Sequence, residues 1–214
     1  MSEQFDSASN NTPLSIIAAD LYMRQKADSG FSAISKVSGI PVNELQSTWF
    51  TRPALLRAYY EDAFQRFTEL EASVPDFKQY KLSEKLATLL FSLSDELEAV
   101  PGFAAETFQA LATTTLSSTT FEHLVRDRIR WYIDSDPAIS TLAQPIINKK
   151  SSTILTKAMM LLLMEIQKDQ SPDKAYSSAL VDKATTFIES LYYSGFADKA
   201  IDLIKYLTVN SRTT

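Results

Sequence analysis

The stretch "AISKVSGIPVNELQSTWFTRPALL", Ala33 to Leu56, decides the fold. It reads as the end of one helix, a tight turn, a second helix and the start of a third. Gly39 takes the turn, where a residue without a Cβ is cheapest in a left-handed conformation. Pro41 opens the next helix, because its fixed φ suits a first turn and its missing N–H costs nothing there. Ile34, Val37, Ile40 and Leu45 are the apolar anchors of the two short helices, and Asn43, Glu44, Gln46, Ser47 and Thr48 face outward. In a helix-turn-helix of this kind the first helix braces the second, whose exposed face reaches base edges in a major groove.

Toward the N-terminus, Thr12 and Pro13 start a helix that runs to about Lys26, with Leu14, Ile17, Ala18 and Leu21 on one face. Ser29 is placed to cap the short helix through Phe31, Ile34 and Val37. Thr51 caps a long fourth helix from about Arg52 to Ala72, whose inner face is Leu56, Tyr60, Phe64 and Phe67. The break "SVPDFKQYK", Ser73 to Lys81, ends it. Beyond the break, apolar residues recurring in threes and fours predict helices near 83–98, 101–114, 118–134, 137–148, 151–169, 173–194 and 197–209. Residues 1–11 read as a polar, disordered leader. The segment "ATTTLSSTT", Ala112 to Thr120, suits a loop.

Two late helices stand out. "STILTKAMMLLLMEIQKDQ", from Ser152, is apolar around most of its circumference, which predicts burial on more than one side. "SALVDKATTFIESLYYSG", from Ser178, carries a stripe of Leu180, Ala184, Ile188 and Leu191. Both need a partner surface, supplied by the domain core or by a second copy of the chain.

Composition narrows the class. Only four glycines in 214 residues leave little for the tight turns of a β fold, so the chain is all-α. The absence of cysteine excludes disulfides, thiolate catalysis and cysteine metal sites. The N-terminus has no basic and apolar signal pattern, and the longest apolar run, Ala158 to Met164, is far short of a span, so the expectation is a cytoplasmic protein with no membrane partner. The net charge is −5, yet from Thr12 to Arg57 five cations (Arg24, Lys26, Lys36, Arg52, Arg57) outnumber Asp20, Asp28 and Glu44, for a balance of +2. A slightly basic head on an acidic body suits a DNA reader with a separate regulatory part.

The wider frame adds a resemblance. "IIAADLY", then "FSAISKVSGIPVNELQSTWF", then "TRPALLRAYYEDAF" resembles the TetR family of transcriptional regulators over roughly residues 14–60. Ile34, Gly39, Ile40, Leu45, Trp49, Arg52, Leu55 and Leu56 fall on the family's frame without a gap, and Leu21 and Tyr22 match its first helix. The recognition face departs from it. Pro41 stands for a serine, Gln46 for a tyrosine that touches a phosphate and Thr48 for a histidine, while Ser35 and Ser38 replace alanines. Arg52 stands for the family's phosphate-side lysine.

The resemblance implies an N-terminal three-helix helix-turn-helix domain, residues 12–57, joined by a long fourth helix to a larger helical ligand-binding and dimerisation domain, residues 58–210. It implies a homodimer on a palindromic double-stranded DNA operator, seamed by helices at about 151–194, acting as a repressor released by a small-molecule effector. The candidate DNA contacts are Lys36, Asn43, Glu44, Gln46, Ser47, Thr48 and Arg52. Asn and Gln pair with adenine, Glu accepts from cytosine, and Ser and Thr bond to either bases or phosphates. Glu44 is equally at home as an acid in a helix's first turn.

For the effector, the pool of adaptable apolar side chains is Phe91, Phe103, Phe108, Trp131, Tyr132, Met159, Met160 and Met164, which favours an apolar ligand. Catalytic chemistry is thin. His123 beside Glu122 and Asp127 reads as an ordinary helix residue, no metal-ligand spacing or phosphate-cradling loop exists, and neither a cofactor nor an enzymatic activity is expected. The alternative to a regulator is a TetR-like fold that no longer binds DNA and serves as a lipid- or hydrophobe-binding or protein-interaction module.

Overall fold

A computed structural model describes residues 12–113, 118–139 and 152–193, with Ala27 by its backbone alone. Among them there is no strand, and the chain is all-α. The helices are α1 (Leu14–Gln25), α2 (Phe31–Ser38), α3 (Val42–Trp49), α4 (Arg52–Ser73), α5 (Leu82–Glu96), α6 (Phe103–Leu111), α7 (Thr120–Asp134), α8 (Ser152–Lys168) and α9 (Ala175–Tyr193). The leader, the helix expected near 197–209, residues 140–148 of the one expected near 137–148, and residues 114–117 of the hydroxylated loop lie outside the described residues.

In the head, α1 packs on α4 and α2, and α2 packs on α3. Ile34, Leu45 and Leu55 are buried at its centre. Gly39 caps α2 in the left-handed region at φ +74°, and its N–H reaches Ser35 O at 2.9 Å. Thr51 caps α4 as expected, its hydroxyl accepting from Ala54 N at 3.3 Å. Other starts fall one residue later than expected. Pro13 and Pro41 are the capping residues rather than the first helical ones, and Gly30 precedes α2. Ser29 does not cap α2 with its side chain; its hydroxyl donates back to Lys26 O at 2.7 Å. Val37 does not anchor: it is 54% exposed, while Ile34 on the same helix is buried.

The 22 residues of α4 form the spine. Leu56, Tyr60, Phe64 and Phe67 are buried as the periodicity requires, together with Leu55, Tyr59 and Ala63. Aromatic rings from α6 and α7 close on this face: Tyr59 meets Phe103 at 4.7 Å between centroids, Tyr60 meets Phe121 at 5.5 Å, and Phe108 stands perpendicular to Phe121 at 6.0 Å. Edge-to-face contacts of this sort add to the roughly 1.5–3 kcal/mol each ring gains from burial. The hydroxyls are used as well. Tyr59 OH donates to Leu97 O at 2.9 Å and accepts from Val100 N at 3.0 Å, which ties the α5–α6 connection to α4.

α9 packs chiefly on α5 and only lightly on α8. Its buried residues are Ser177, Val181 and Thr185, not the expected stripe of Leu180, Ala184, Ile188 and Leu191. Small side chains at every fourth position let the two helices approach closely, and the larger apolar residues are turned toward α8. At its far end Glu189 accepts from Ser83 N at 2.8 Å and Tyr193 OH accepts from Leu82 N at 3.1 Å, so α9 caps the start of α5. α8 buries Leu155, Met159, Met160, Leu163 and Ile166, yet Ile154 is 72% and Leu161 59% exposed.

Candidate functional site

α3 buries Leu45 alone, with Val42 and Trp49 half-covered at its ends. Asn43, Glu44, Gln46, Ser47 and Thr48 are all exposed, and so is Lys36 on α2. The structure therefore brings six of the expected contacts to solvent on one short helix and its brace. Their chemistry is not equal. Ser47 and Thr48 donate to Glu44 O at 2.9 and 3.0 Å, so both hydroxyls are turned back along the helix. Asn43 and Gln46 keep amides three residues apart on one face, the geometry needed to engage adjacent base edges.

The seventh expected contact, Arg52, is held inside the head. Its guanidinium donates to Lys26 O at 2.5 Å and Ser29 Oγ at 2.6 Å and lies 5.2 Å from the Tyr22 ring. Other cations of the head are also engaged. Arg24 pairs with Asp20 at 3.0 Å, and Lys26 pairs with Glu106 at 2.5 Å. Tyr22 OH donates to the same Glu106 at 3.1 Å, and its ring stands edge-on to Phe103 at 5.7 Å. The lysine draws the Glu106 carboxyl below the ordinary glutamate range. These contacts join the end of α1 to the first turn of α6. Gly102 caps α6 in the left-handed region at φ +77°, a conformation that favours glycine.

Phe50 follows α3 directly and is 82% exposed, the most exposed large apolar side chain among the described residues. Its backbone lies at φ +50°, ψ −43°. Thr51 N donates to Trp49 O across it, forming a γ-turn of the strained, positive-φ kind. For an L-residue with a bulky side chain this costs on the order of 1–2 kcal/mol. The sequence carries no sign of it, because glycine is the residue that would mark such a turn.

No family model matches the chain, and no curated protein matches it.

In the body, a cavity of about 600 Å³ opens between α6 and α8, lined by Gln109, Ala110, Thr113, Lys157, Met160, Leu161 and Met164. From the expected effector pool it collects Met160 and Met164. Phe103, Phe108, Tyr132 and Met159 are fully enclosed in the core, where the aromatic packing on α4 holds the first two. Trp131 lines a separate hollow of about 520 Å³ near the end of α4, and Phe91 a shallow one of about 150 Å³ against α9. A fourth hollow, an almost wholly apolar groove of about 470 Å³, runs between α8 and α9 past Ile154, Leu161, Phe187 and Leu191.

Beside the Trp131 hollow sits a buried charge cluster. Glu71 is 5% exposed and accepts from Tyr132 OH at 2.5 Å and Arg128 at 3.1 Å. Buried Lys85 also favours its charged form, yet loss of solvation outweighs all three and pushes the Glu71 carboxyl up. The same periodicity that picks out Tyr60, Phe64 and Phe67 puts Glu71 next on the inner face, so this residue was legible in the sequence. His123 is exposed and takes a contact from Arg126, while its neighbour Glu122 is buried and pairs with Lys157 at 2.7 Å. Among the described residues no three potential ligands gather around a metal position.

Proposed function

We propose that the chain is a TetR-like, ligand-responsive transcriptional regulator: a homodimer that binds a palindromic DNA operator through α3 and acts as a repressor. The observation that carries this reading is α3 itself, a braced helix that buries Leu45 alone and turns Asn43 and Gln46 to solvent. Those amides supply base contacts, and Lys36 supplies a phosphate contact. The apolar groove between α8 and α9 supports a two-fold seam there, where a second copy covers Ile154, Leu161, Phe187 and Leu191. The α6–α8 cavity is the effector site, and its methionines favour an apolar ligand. Lys26, Tyr22 and Glu106 couple it to the head: a ligand that shifts α6 shifts α1, and with it the spacing of the two reading helices.

The test is a selection of genomic fragments at about 100 mM salt, with Gln46→Ala beside the wild type. Enrichment of one palindrome, lost or altered in the variant, supports the reading. A second reading has its own observation. Arg24 and Lys26 are each paired with a carboxylate within the chain, which weakens the head's field for phosphates. On that reading the fold binds a hydrophobe or a protein without DNA. An apolar molecule extracted from the purified protein, with no fragment enriched at any salt, would favour it.

A further inference from the structure

We propose that Phe50 is an apolar contact to the deoxyribose edge of a DNA strand, beside the reading face of α3. This rests on the DNA reading above and assigns a residue which that reading does not use. Phe50 centres the strained turn between α3 and α4 with its ring in water. Glycine would hold the same backbone without strain and without an exposed ring. Strain and exposure coincide at one residue, so the side chain serves neither the turn nor the core, and a contact outside the chain accounts for it.

The surroundings favour a nucleic-acid strand over a protein. The turn leads directly into the N-terminal end of α4, whose first turn contains no acid and whose dipole favours an anion. Within one helical turn along the chain, Gln46, Ser47 and Thr51 are exposed and polar. Those neighbours suit a sugar-phosphate edge better than the apolar centre of a protein interface. The contact also answers the shortage of free cations. Counterion release weakens as salt rises, whereas burial of a ring on a sugar does not, so Phe50 adds affinity that salt leaves intact.

The experiment uses the full chain, with the enriched palindrome and a mixed-sequence duplex of about 30 base pairs, across roughly 50–200 mM salt. Phe50→Gly is expected to melt about 2–4 °C higher as strain is released. It should bind both duplexes roughly tenfold more weakly, with the slope of log K against log salt unchanged. Phe50→Leu keeps an apolar side chain and most of the affinity, while Lys36→Ala lowers the slope by about one. Wild-type affinity in Phe50→Gly, a changed salt slope in that variant, or a lower melting temperature would each overturn the proposal and leave the DNA reading standing. A wild type that binds neither duplex at any salt overturns both.

Discussion

α3 and α9 both bury one narrow stripe and give the rest of their surface to solvent, but what they expose is opposite. α3 shows amides, hydroxyls and a carboxylate around a single buried Leu45. α9 shows Tyr176, Phe187 and Leu191 beside a buried row of Ser177, Val181 and Thr185. Water already satisfies the polar surface of α3, so that helix is complete without a partner and can make and break a contact at little cost. The apolar surface of α9 and α8 gains free energy only when covered, which suits a lasting seam. On the proposed reading the head serves exchange and the far end attachment.

That contrast breaks most severely at Leu45. Leu45→Ala removes the one buried side chain of α3 and is expected to cost about 2–5 kcal/mol. Chemical denaturation should show the loss, with the head melting before the body; a change below about 1 kcal/mol would mean that α3 is held by something else. The proposed seam is tested next by Leu161→Glu with Phe187→Glu. Charges facing an apolar groove should raise the proposed dimer's dissociation constant by about 100-fold or more, read by sedimentation velocity with the helical content unchanged. A wild type that is monomeric at micromolar concentration removes the seam.

The smallest effect sharpens the comparison from inside the body, where charge is buried rather than displayed. The Glu71 carboxyl is raised above the ordinary value of 4.5, mainly by burial. The folded state therefore holds its proton more tightly than the unfolded chain. The resulting stability is fully present below pH 4.5 and is lost as pH rises through the raised folded value. Glu71→Gln keeps a neutral partner for Tyr132 and lacks that dependence. Relative to the variant, the wild type should lose stability between pH 4.5 and neutrality. Denaturant midpoints at both ends of that window check it, and parallel pH profiles for the two proteins would show that Arg128 and Lys85 fully offset the burial.

Much of the fold was legible because it is local. The inner face of α4, the Thr51 cap and the left-handed Gly39 follow from spacings of three and four residues and from a missing Cβ. The outward amides of α3 were legible for the same reason. The place of Arg52 was not, because it is held by Lys26 O and Ser29 Oγ, acceptors that only the folded head brings within reach. Phe103 and Phe108 have the same composition as cavity-lining residues. Their place in the core depends on where the rings of Tyr59, Tyr60 and Phe121 stand.

By itself, the sequence determined that this chain is a string of helices, where most of them begin and end, and which short helix shows polar side chains. Each of those properties is set by residues within a turn or two of one another. Only the tertiary structure decided that Val37 points outward, that α9 packs through Ser177, Val181 and Thr185, that Arg24, Lys26 and Arg52 are engaged within the chain, and that Phe50 stands in water on a strained turn. These depend on which helices meet, and at what approach. A periodic stripe states that a face will be covered without stating by what.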